Sequence, residues 1–299
     1  MNVLLLGVGA IGSVISHHLA AHRAVAGLTL CDRDTRRAES LAGEVGPGRV
    51  RVMALDAADP AALRRAFHGA GLVINAVLPR FNVGIMDAAL EAGCQYLDLC
   101  SGEEDQFTRH AAWRAAGRTA LHDMGEDPGI SNILARLSAD RLDAVEAIRV
   151  RDGEFSLSDD IPLACLFSTE TFIEEAVSGA RVYADGVWKE LPPWSGRELY
   201  PFPPPVGPQP VYCMSHEEVH SLPRFIGKWL RRVDFKLAVP DDMQTQLAFL
   251  DRIGMTRRDE VRISTPGVLA PEQIEPQPML ALLAELGVQV EETTRVVLG

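Results

Sequence analysis

The chain opens on an unbroken apolar run, "NVLLL" (2–6), of the length of a strand buried on both faces. The next polar–apolar pattern, "SVISHHLAAHR", has helical spacing, with Val14, Ile15 and Leu19 on one side. "GLTLCDRD" predicts a second strand closing on Asp32, and Thr35 stands where it can cap the helix "RRAESLAGEV". Alternation in "RVRVMALD" predicts a third strand ending at Asp56. Asp59 before Pro60 is a cap followed by a first-turn proline, which starts the helix "AALRRAFHGA". The strand "GLVINAVLP", the helix "NVGIMDAALEAG" and the strand "CQYLDLC" follow. The helix "EDQFTRHAAWRAAG" and a sixth strand, "TALHDMG", complete the series. Strands alternating with helices predict a parallel, doubly wound α/β sheet over residues 1–125.

Past Glu126-Asp127-Pro128-Gly129 the rhythm changes. "ISNILARLSADRL" reads as a helix and "AVEAIRVRDGEF" as a strand. Two stretches, "LPPWSG" and "YPFPPPVGPQPVY", are rich in proline. "ARVYADGVWKEL" and "RRVDFKLAV" are strand-like, and "MQTQLAFLDRIGM" and "QPMLALLAELG" are helical. These predict a second, α+β domain over residues 126–299.

Composition narrows the functions open to such a chain. Its 299 residues are 47% apolar, enough for a full core. The net charge of −12 argues against broad binding to nucleic acid or anionic membrane, both of which need a basic face. An anionic substrate would need a local cluster of Arg and Lys. The five cysteines have no Cys-x-x-Cys spacing, which points to a reducing compartment, the cytoplasm. The N-terminus has no basic region before its apolar run, and glycines interrupt it well short of a membrane span.

Between the first strand and its helix lies "GVGAIG", residues Gly7, Val8, Gly9, Ala10, Ile11 and Gly12. Asp32 follows Gly12 by twenty positions, at the end of the next strand, which is the context of a Rossmann dinucleotide site. Gly7 permits the tight turn, Gly9 lets a pyrophosphate approach the backbone, and Gly12 lets helix and sheet pack closely. The phosphates would sit on the helix N-terminus. Asp32 can accept from ribose hydroxyls and would repel a 2′-phosphate, which favours NAD. Arg33, Arg36 and Arg37 can offset that repulsion, so NADP stays open. Asp56 can face the adenine amino group. Ala76, Val77 and Leu78 end the fourth strand, where a cofactor crosses the sheet. The bland readings are a Gly-rich turn and a core strand running into a loop.

A second motif competes. His216-Glu217-Glu218-Val219-His220 satisfies H-E-x-x-H, the zinc-peptidase signature. Two histidines four apart meet one metal only on a helix. The proline-rich approach and Pro223 leave room for at most one helical turn. The segment is therefore expected to be a polar loop, with no metal.

"VLLLGVGAIG", "INAVLPRFN", "ALEAGCQYLDL" and "MGEDPGISNILA", in that order, resemble the saccharopine dehydrogenase-like family, and "SLPRF" and "VDFKL" continue the likeness. The resemblance implies a Rossmann domain followed by an α+β domain used for substrate binding and dimerisation. It also implies oxidation of an amine C–N bond, or the reverse reductive amination, with NAD or NADP. A homodimer is implied by the family alone. Members of that family continue well past "TRVVLG", so a C-terminal segment is expected to be missing.

Amine oxidation needs a base for the ammonium proton. Asp127 is the favoured group beside the nicotinamide, with Asp98 second. The alternative for Asp127-Pro128-Gly129 is a turn that caps the next helix. An amino-acid-like substrate needs a carboxylate grip. In "RRVDFKL" alternation puts Arg232, Asp234 and Lys236 on one face. Arg224 and Lys236 also match basic positions of the family pattern and are taken as substrate-binding; a solvated surface is the alternative. Phe81 and Asn82 can line the pocket, and Glu217 can receive a second amine. The competing functions are a non-catalytic cofactor-binding homologue and a zinc hydrolase built on His216, Glu217 and His220.

Overall fold

Leu4 and Leu6 of β1 (Asn2–Leu6) point into one apolar cluster and Val3 and Leu5 into another, so both faces of the strand are buried. That arrangement is why the strand reads as a continuous apolar run. Each such side chain contributes about 1.5–3 kcal/mol by leaving water. The computed structural model describes residues 1–45, 48–101, 106–153 and 168–253.

Around β1 are α1 (Ala10–Ala21), β2 (Gly27–Asp32), α2 (Thr35–Val45), β3 (Val50–Ala54), α3 (Pro60–Phe67) and β4 (Leu72–Asn75). Then come α4 (Asn82–Glu91), β5 (Gln95–Asp98), α5 (His110–Ala115) and β6 (Ala120–Leu121). The strands run parallel in the order β3-β2-β1-β4-β5-β6, which is the doubly wound order. The order reverses beside β1, so a crevice opens at the carboxyl ends of β1 and β4.

Local chemistry sets the ends. Asp59 Oδ1 accepts from the N–H groups of Ala61 and Ala62 at 2.9 and 3.0 Å, with Pro60 in the first turn of α3. Thr35 lies inside α2 and bonds Glu39, while Asp34 Oδ1 accepts from Arg36 N–H, so the cap stands one residue earlier than expected. β3 stops at Ala54, before Asp56, and β6 is far shorter than "TALHDMG".

The second unit starts with α6 (Ile130–Asp140), β7 (Ala147–Asp152), α7 (Thr169–Val177), β8 (Ala180–Ala184) and β9 (Val187–Leu191). β10 (Glu198–Pro201), β11 (Pro208–Cys213), α8 (Glu217–Phe225), β12 (Arg232–Ala238) and α9 (Asp241–Arg252) follow. Its mixed sheet has the order β10-β11-β12-β8-β9, with β7 parallel to β12. "ARVYADGVWKEL" is not one strand but a hairpin. It turns at Asp185-Gly186, where both φ are positive, 57° and 84°, as a two-residue turn matched to strand twist requires. The proline-rich "YPFPPPVGPQPVY" contains the end of β10, the turn and most of β11. The helix expected at "QPMLALLAELG" lies outside the described residues.

The largest departure is α8. Residues 217–225 form a helix, not a loop, although Pro223 sits inside it. Proline there leaves the Val219 carbonyl without its usual donor. The indole N–H of Trp188 on β9 donates to that carbonyl at 3.0 Å. Glu217 and Glu218 stand in the first turn, where the helix dipole favours negative charge. Val219 and Leu222 bury against β12.

Candidate active site

A cavity of about 600 Å³ opens where the carboxyl ends of the parallel strands meet the second sheet. One wall is the β1–α1 turn with the ends of β2 and β4. The opposite wall is the turn before α6, the end of β7, and parts of α7, α8 and β12.

The first wall is made by backbone. Gly7 has φ +95°, and its N–H donates to Cys31 carbonyl at 2.8 Å. A Cβ on Gly7 would lie 2.6 Å from Ala76 O, and one on Gly12 would lie 2.0 Å from Gly7 O. Both positions need glycine for packing alone. Gly9 differs, because a Cβ there would meet nothing within 4 Å. It stands at the N-cap of α1, exposed to the cavity. The first helical bond is Ser13 N–H to Gly9 O, so the amides of Ala10, Ile11 and Gly12 point out of the helix end. Open space, free amides and a helix N-terminus fit a pyrophosphate.

Asp32 ends β2. Its Oδ2 accepts from Val8 N–H at 2.8 Å and its Oδ1 from Asp34 N–H at 3.1 Å, which ties the glycine turn to the strand end. The Val8 side chain is buried, so its part at this wall is that backbone bond. Arg33 is exposed and lines the cavity, while Arg36 is engaged with Asp34. Asp56, Ala76, Val77 and Leu78 also line it, as do Phe81 and Asn82. Asn82 is buried and does structural work. Its Oδ1 accepts from Asn75 Nδ2 at 2.8 Å and its Nδ2 donates to Cys100 O at 2.7 Å.

Asp98 is buried as well. Its Oδ2 accepts from the Tyr96 hydroxyl at 2.8 Å and from Gln106 Nε2 at 2.6 Å, and its Oδ1 from Asp123 N–H at 2.9 Å. Burial pushes its pKa up to about 6, against those donors. With three donors on two oxygens, Asp98 anchors the end of β5 and is poorly placed to take a proton from a ligand.

The second wall is made by side chains. The turn from Gly125 to Gly129 closes on itself: a Cβ on Gly129 would lie 2.1 Å from Gly125 O, and one on Gly125 would lie 2.8 Å from Leu99 O. Both glycines are needed to present Asp127 at the cavity. Asn132 Oδ1 accepts from Gly129 N–H at 2.9 Å, and Asn132 Nδ2 donates to Ser221 Oγ at 3.0 Å, which joins the turn to α8. Glu126, Asp127, Asp152, Glu175 and Glu217 converge on this wall. Burial, then the charge of Asp152, pushes Asp127 up to about 8. Burial, partly offset by His216, pushes Glu175 up to about 7 and raises Glu217. Ser101 N–H donates to Glu217 Oε1 at 3.1 Å, and Ser101 Oγ donates to Asp123 at 2.6 Å, so α8 is bonded to the segment that follows β5.

His216 stands at the N-cap of α8 in extended backbone, and its ring stacks on Phe235 with centroids 3.8 Å apart. Burial works against its charge, but the hydrogen bond to Glu218 and the nearby Glu217 and Glu175 outweigh it and hold its pKa up at about 10. Glu218 is fully buried, held between His216 Nδ1 and Ser131 Oγ. The zinc reading fails on this geometry. Among the described residues the ligand atoms that converge are those of His216, Glu217 and Glu218, without His220. His220 faces Arg181 and Arg224; burial and those charges lower its pKa.

Arg224 and Lys236 part company. Arg224 lies over the Phe107 ring at 5.6 Å, in an outer hollow with Arg80 and Arg181 that shares Leu78, Glu175 and Glu217 with the inner cavity. Lys236 points the other way. Phe235 and Leu237 of β12 line the cavity, so the residue between them faces the back of the sheet, where Lys236 pairs with Glu198 at 2.7 Å. The predicted Arg232–Asp234–Lys236 face exists, but it is the back face: Asp234 bridges Arg151 and Arg232 there.

Two cavity carboxylates escaped the sequence reading, Asp152 and Glu175. A signal for Asp152 was present. Ile148 and Val150 face the core, and a strand's period of two puts Asp152 on their side.

A family model described as the saccharopine dehydrogenase NADP binding domain matches residues 3–121. Carboxyaminopropylagmatine dehydrogenase of Synechocystis sp. is 31% identical over 276 residues, covering 87% of this chain and 68% of that protein. Carboxynorspermidine synthase of Vibrio cholerae is 27% identical over 303 residues, covering 92% of this chain and 71% of that protein. Among solved structures, apo saccharopine dehydrogenase (L-Glu forming) from Saccharomyces cerevisiae superposes with a TM-score of 0.67 at 20% identity. That match covers 93% of this chain and 63% of the yeast protein, so the chain spans less than two thirds of the yeast enzyme's length, and the likeness establishes the fold.

Proposed function

Because the chain belongs to the saccharopine dehydrogenase-like family of NAD(P)-dependent oxidoreductases, we propose that it transfers hydride at the C–N bond of a carboxylated diamine or polyamine. The observation that carries this reading is the pairing of walls: a dinucleotide turn faces a wall of carboxylates across one cavity. When bound, the nicotinamide supplies the hydride chemistry, and the protein supplies position and charge. In this reading Gly7, Gly9 and the N-terminus of α1 hold the pyrophosphate, Asp32 takes the adenosine ribose, and Arg33 takes a 2′-phosphate where NADP is used.

Glu175 and Glu217 receive a substrate ammonium, since a cation offsets the cost of keeping them ionised in a half-buried wall. Arg224 stands in the outer hollow, where a guanidinium can grip the substrate carboxylate with two hydrogen bonds. Asp127 is the group that exchanges the proton of the reacting amine. The relatives named for carboxylated polyamine conjugates fit a substrate with both a carboxylate and amines better than the tricarboxylate saccharopine does. The division at about residue 126, a homodimer and a cytoplasmic location belong to the same reading. No described helix is long and apolar enough to cross a membrane.

The test is a panel assayed at the nicotinamide absorbance with NAD and NADP. It contains carboxyaminopropylagmatine, carboxynorspermidine, saccharopine and lysine. Turnover of a carboxylated polyamine is expected. Tight dinucleotide binding with no turnover of any member would instead support the non-catalytic homologue.

A further inference from the structure

We propose that Asp127 and Asp152 act as one unit, a carboxyl pair that shares a single proton and exchanges it with the nitrogen of the C–N bond being oxidised or formed. The inference rests on the dehydrogenase reading above and adds Asp152, which comes from the other sheet, to the site.

The geometry comes from two elements that the sequence keeps apart. Asp127 is presented by the glycine-closed turn before α6. Asp152 ends β7, and the parallel register sets it beside Leu237, two residues after the Val150–Phe235 pair. Phe235, Leu237 and Asp152 all line the cavity, opposite Gly7, Val77 and Leu78. Asp127 and Asp152 line the same cavity, near enough that the charge of Asp152 raises the Asp127 carboxyl beyond what burial does. Two carboxylates that close cannot both ionise easily, so one proton lodges between them.

The groups facing the pair strengthen this. Glu126 precedes Asp127 on the same turn, and the charges of Glu126 and Glu218 raise both carboxyls further. The one cation facing the pair among the groups that shift it is His216, which works the other way. Burial is nonetheless the largest cause, and Asp127 stands at about 8. Two other proton carriers are committed elsewhere. His216 Nδ1 is bonded to Glu218, and Asp98 holds three donors.

In the oxidising direction the ionised pair accepts the N–H proton of the substrate ammonium and becomes the proton-sharing form. The freed nitrogen lone pair forms C=N as the adjacent C–H bond breaks, and its electron pair leaves as hydride to NAD(P)⁺. Water then adds to the iminium carbon, forming C–O and releasing one proton to solvent. The pair returns its stored proton to nitrogen. The C–N bond breaks, the hydroxyl proton passes to the departing amine, and a carbonyl compound and an ammonium leave. The reductive direction reverses each step, with the proton-sharing form as the acid.

Two readouts test this. The first needs neither cofactor nor turnover: infrared titration of protonated carboxyls in wild type, Asp127→Asn and Asp152→Asn. A carboxyl band titrating near 8, above that of Glu175 at about 7, is expected in wild type, and it should move to lower pH or disappear in both variants. A band unchanged in either variant overturns the pair. The second is the pH dependence of kcat/KM for amine oxidation. The wild-type rise near 8 should move toward the ordinary carboxylate range in Asp152→Asn, by about 1 pH unit once the partner's charge is gone, since burial remains. A limb that does not move, in an enzyme that still oxidises amines, sinks the pair and leaves the dehydrogenase reading standing. No oxidation of any amine sinks that reading instead, while the infrared titration still decides whether the proton is shared.

Discussion

The two walls of the cavity face each other but are made of different material. On the β1–α1 side the working groups are backbone amides and the space that glycine leaves. On the α6–β7–α8 side they are ionisable side chains held at half-buried positions against their charge. The first wall is therefore sensitive to a single added methyl group. The second answers above all to charge, because its buried carboxylates respond to each other and to His216.

The largest expected effect is on the second wall. Glu218→Ala removes the fully buried partner of His216 and Ser131 and should cost about 3 kcal/mol, seen as a lower thermal midpoint. An unchanged midpoint would mean that this ion pair does not hold the wall. Next is Gly12→Ala on the first wall, where a Cβ would sit 2.0 Å from Gly7 O. About 2 kcal/mol of stability should go, together with dinucleotide binding, read by calorimetry and fluorescence titration.

Titration separates the walls further. His216 has its folded pKa raised to about 10, so the stability of its pairing is complete below its ordinary 6.5 and is lost as pH climbs toward 10. Asp127 and Glu175 are raised to about 8 and about 7. Each holds a proton that the unfolded chain would release, so the folded state again loses ground as pH rises through those values. The signs agree. The thermal midpoint should fall from pH 6 to pH 10, and Asp127→Asn should flatten the part up to about 8. A midpoint that rises across this range would contradict the charge arrangement.

Gly9→Ala sharpens the contrast. With nothing within 4 Å of the new Cβ, the midpoint should stay within about 0.5 kcal/mol of wild type, while dinucleotide affinity falls about tenfold. Equal affinity would show that no ligand approaches there. The smallest effect is expected for Lys236→Met. Its ammonium pairs with half-exposed Glu198 on the back of β12, so about 1 kcal/mol of stability and no substrate KM should change.

How much of this was legible beforehand follows the same division. The α/β order, "GVGAIG" and Asp32 could be read because each works within one short stretch of chain or through a fixed period. The helix at 217–225 could not. Proline argued against it, and the donor that compensates, Trp188, comes from a hairpin, 31 residues before the carbonyl it serves. Arg224 and Lys236 looked equivalent in sequence; only the register of β12 with β7 puts Lys236 behind the sheet and Asp152 in front.

By itself, then, the sequence determined the doubly wound sheet and the place of the glycine turn, since buried parallel strands and a dinucleotide loop are local patterns of apolarity and backbone freedom. Tertiary structure decided which carboxylates meet. Asp127 and Asp152 are raised by burial and by neighbouring carboxylates, and both depend on the packing of a turn against a strand from a different sheet.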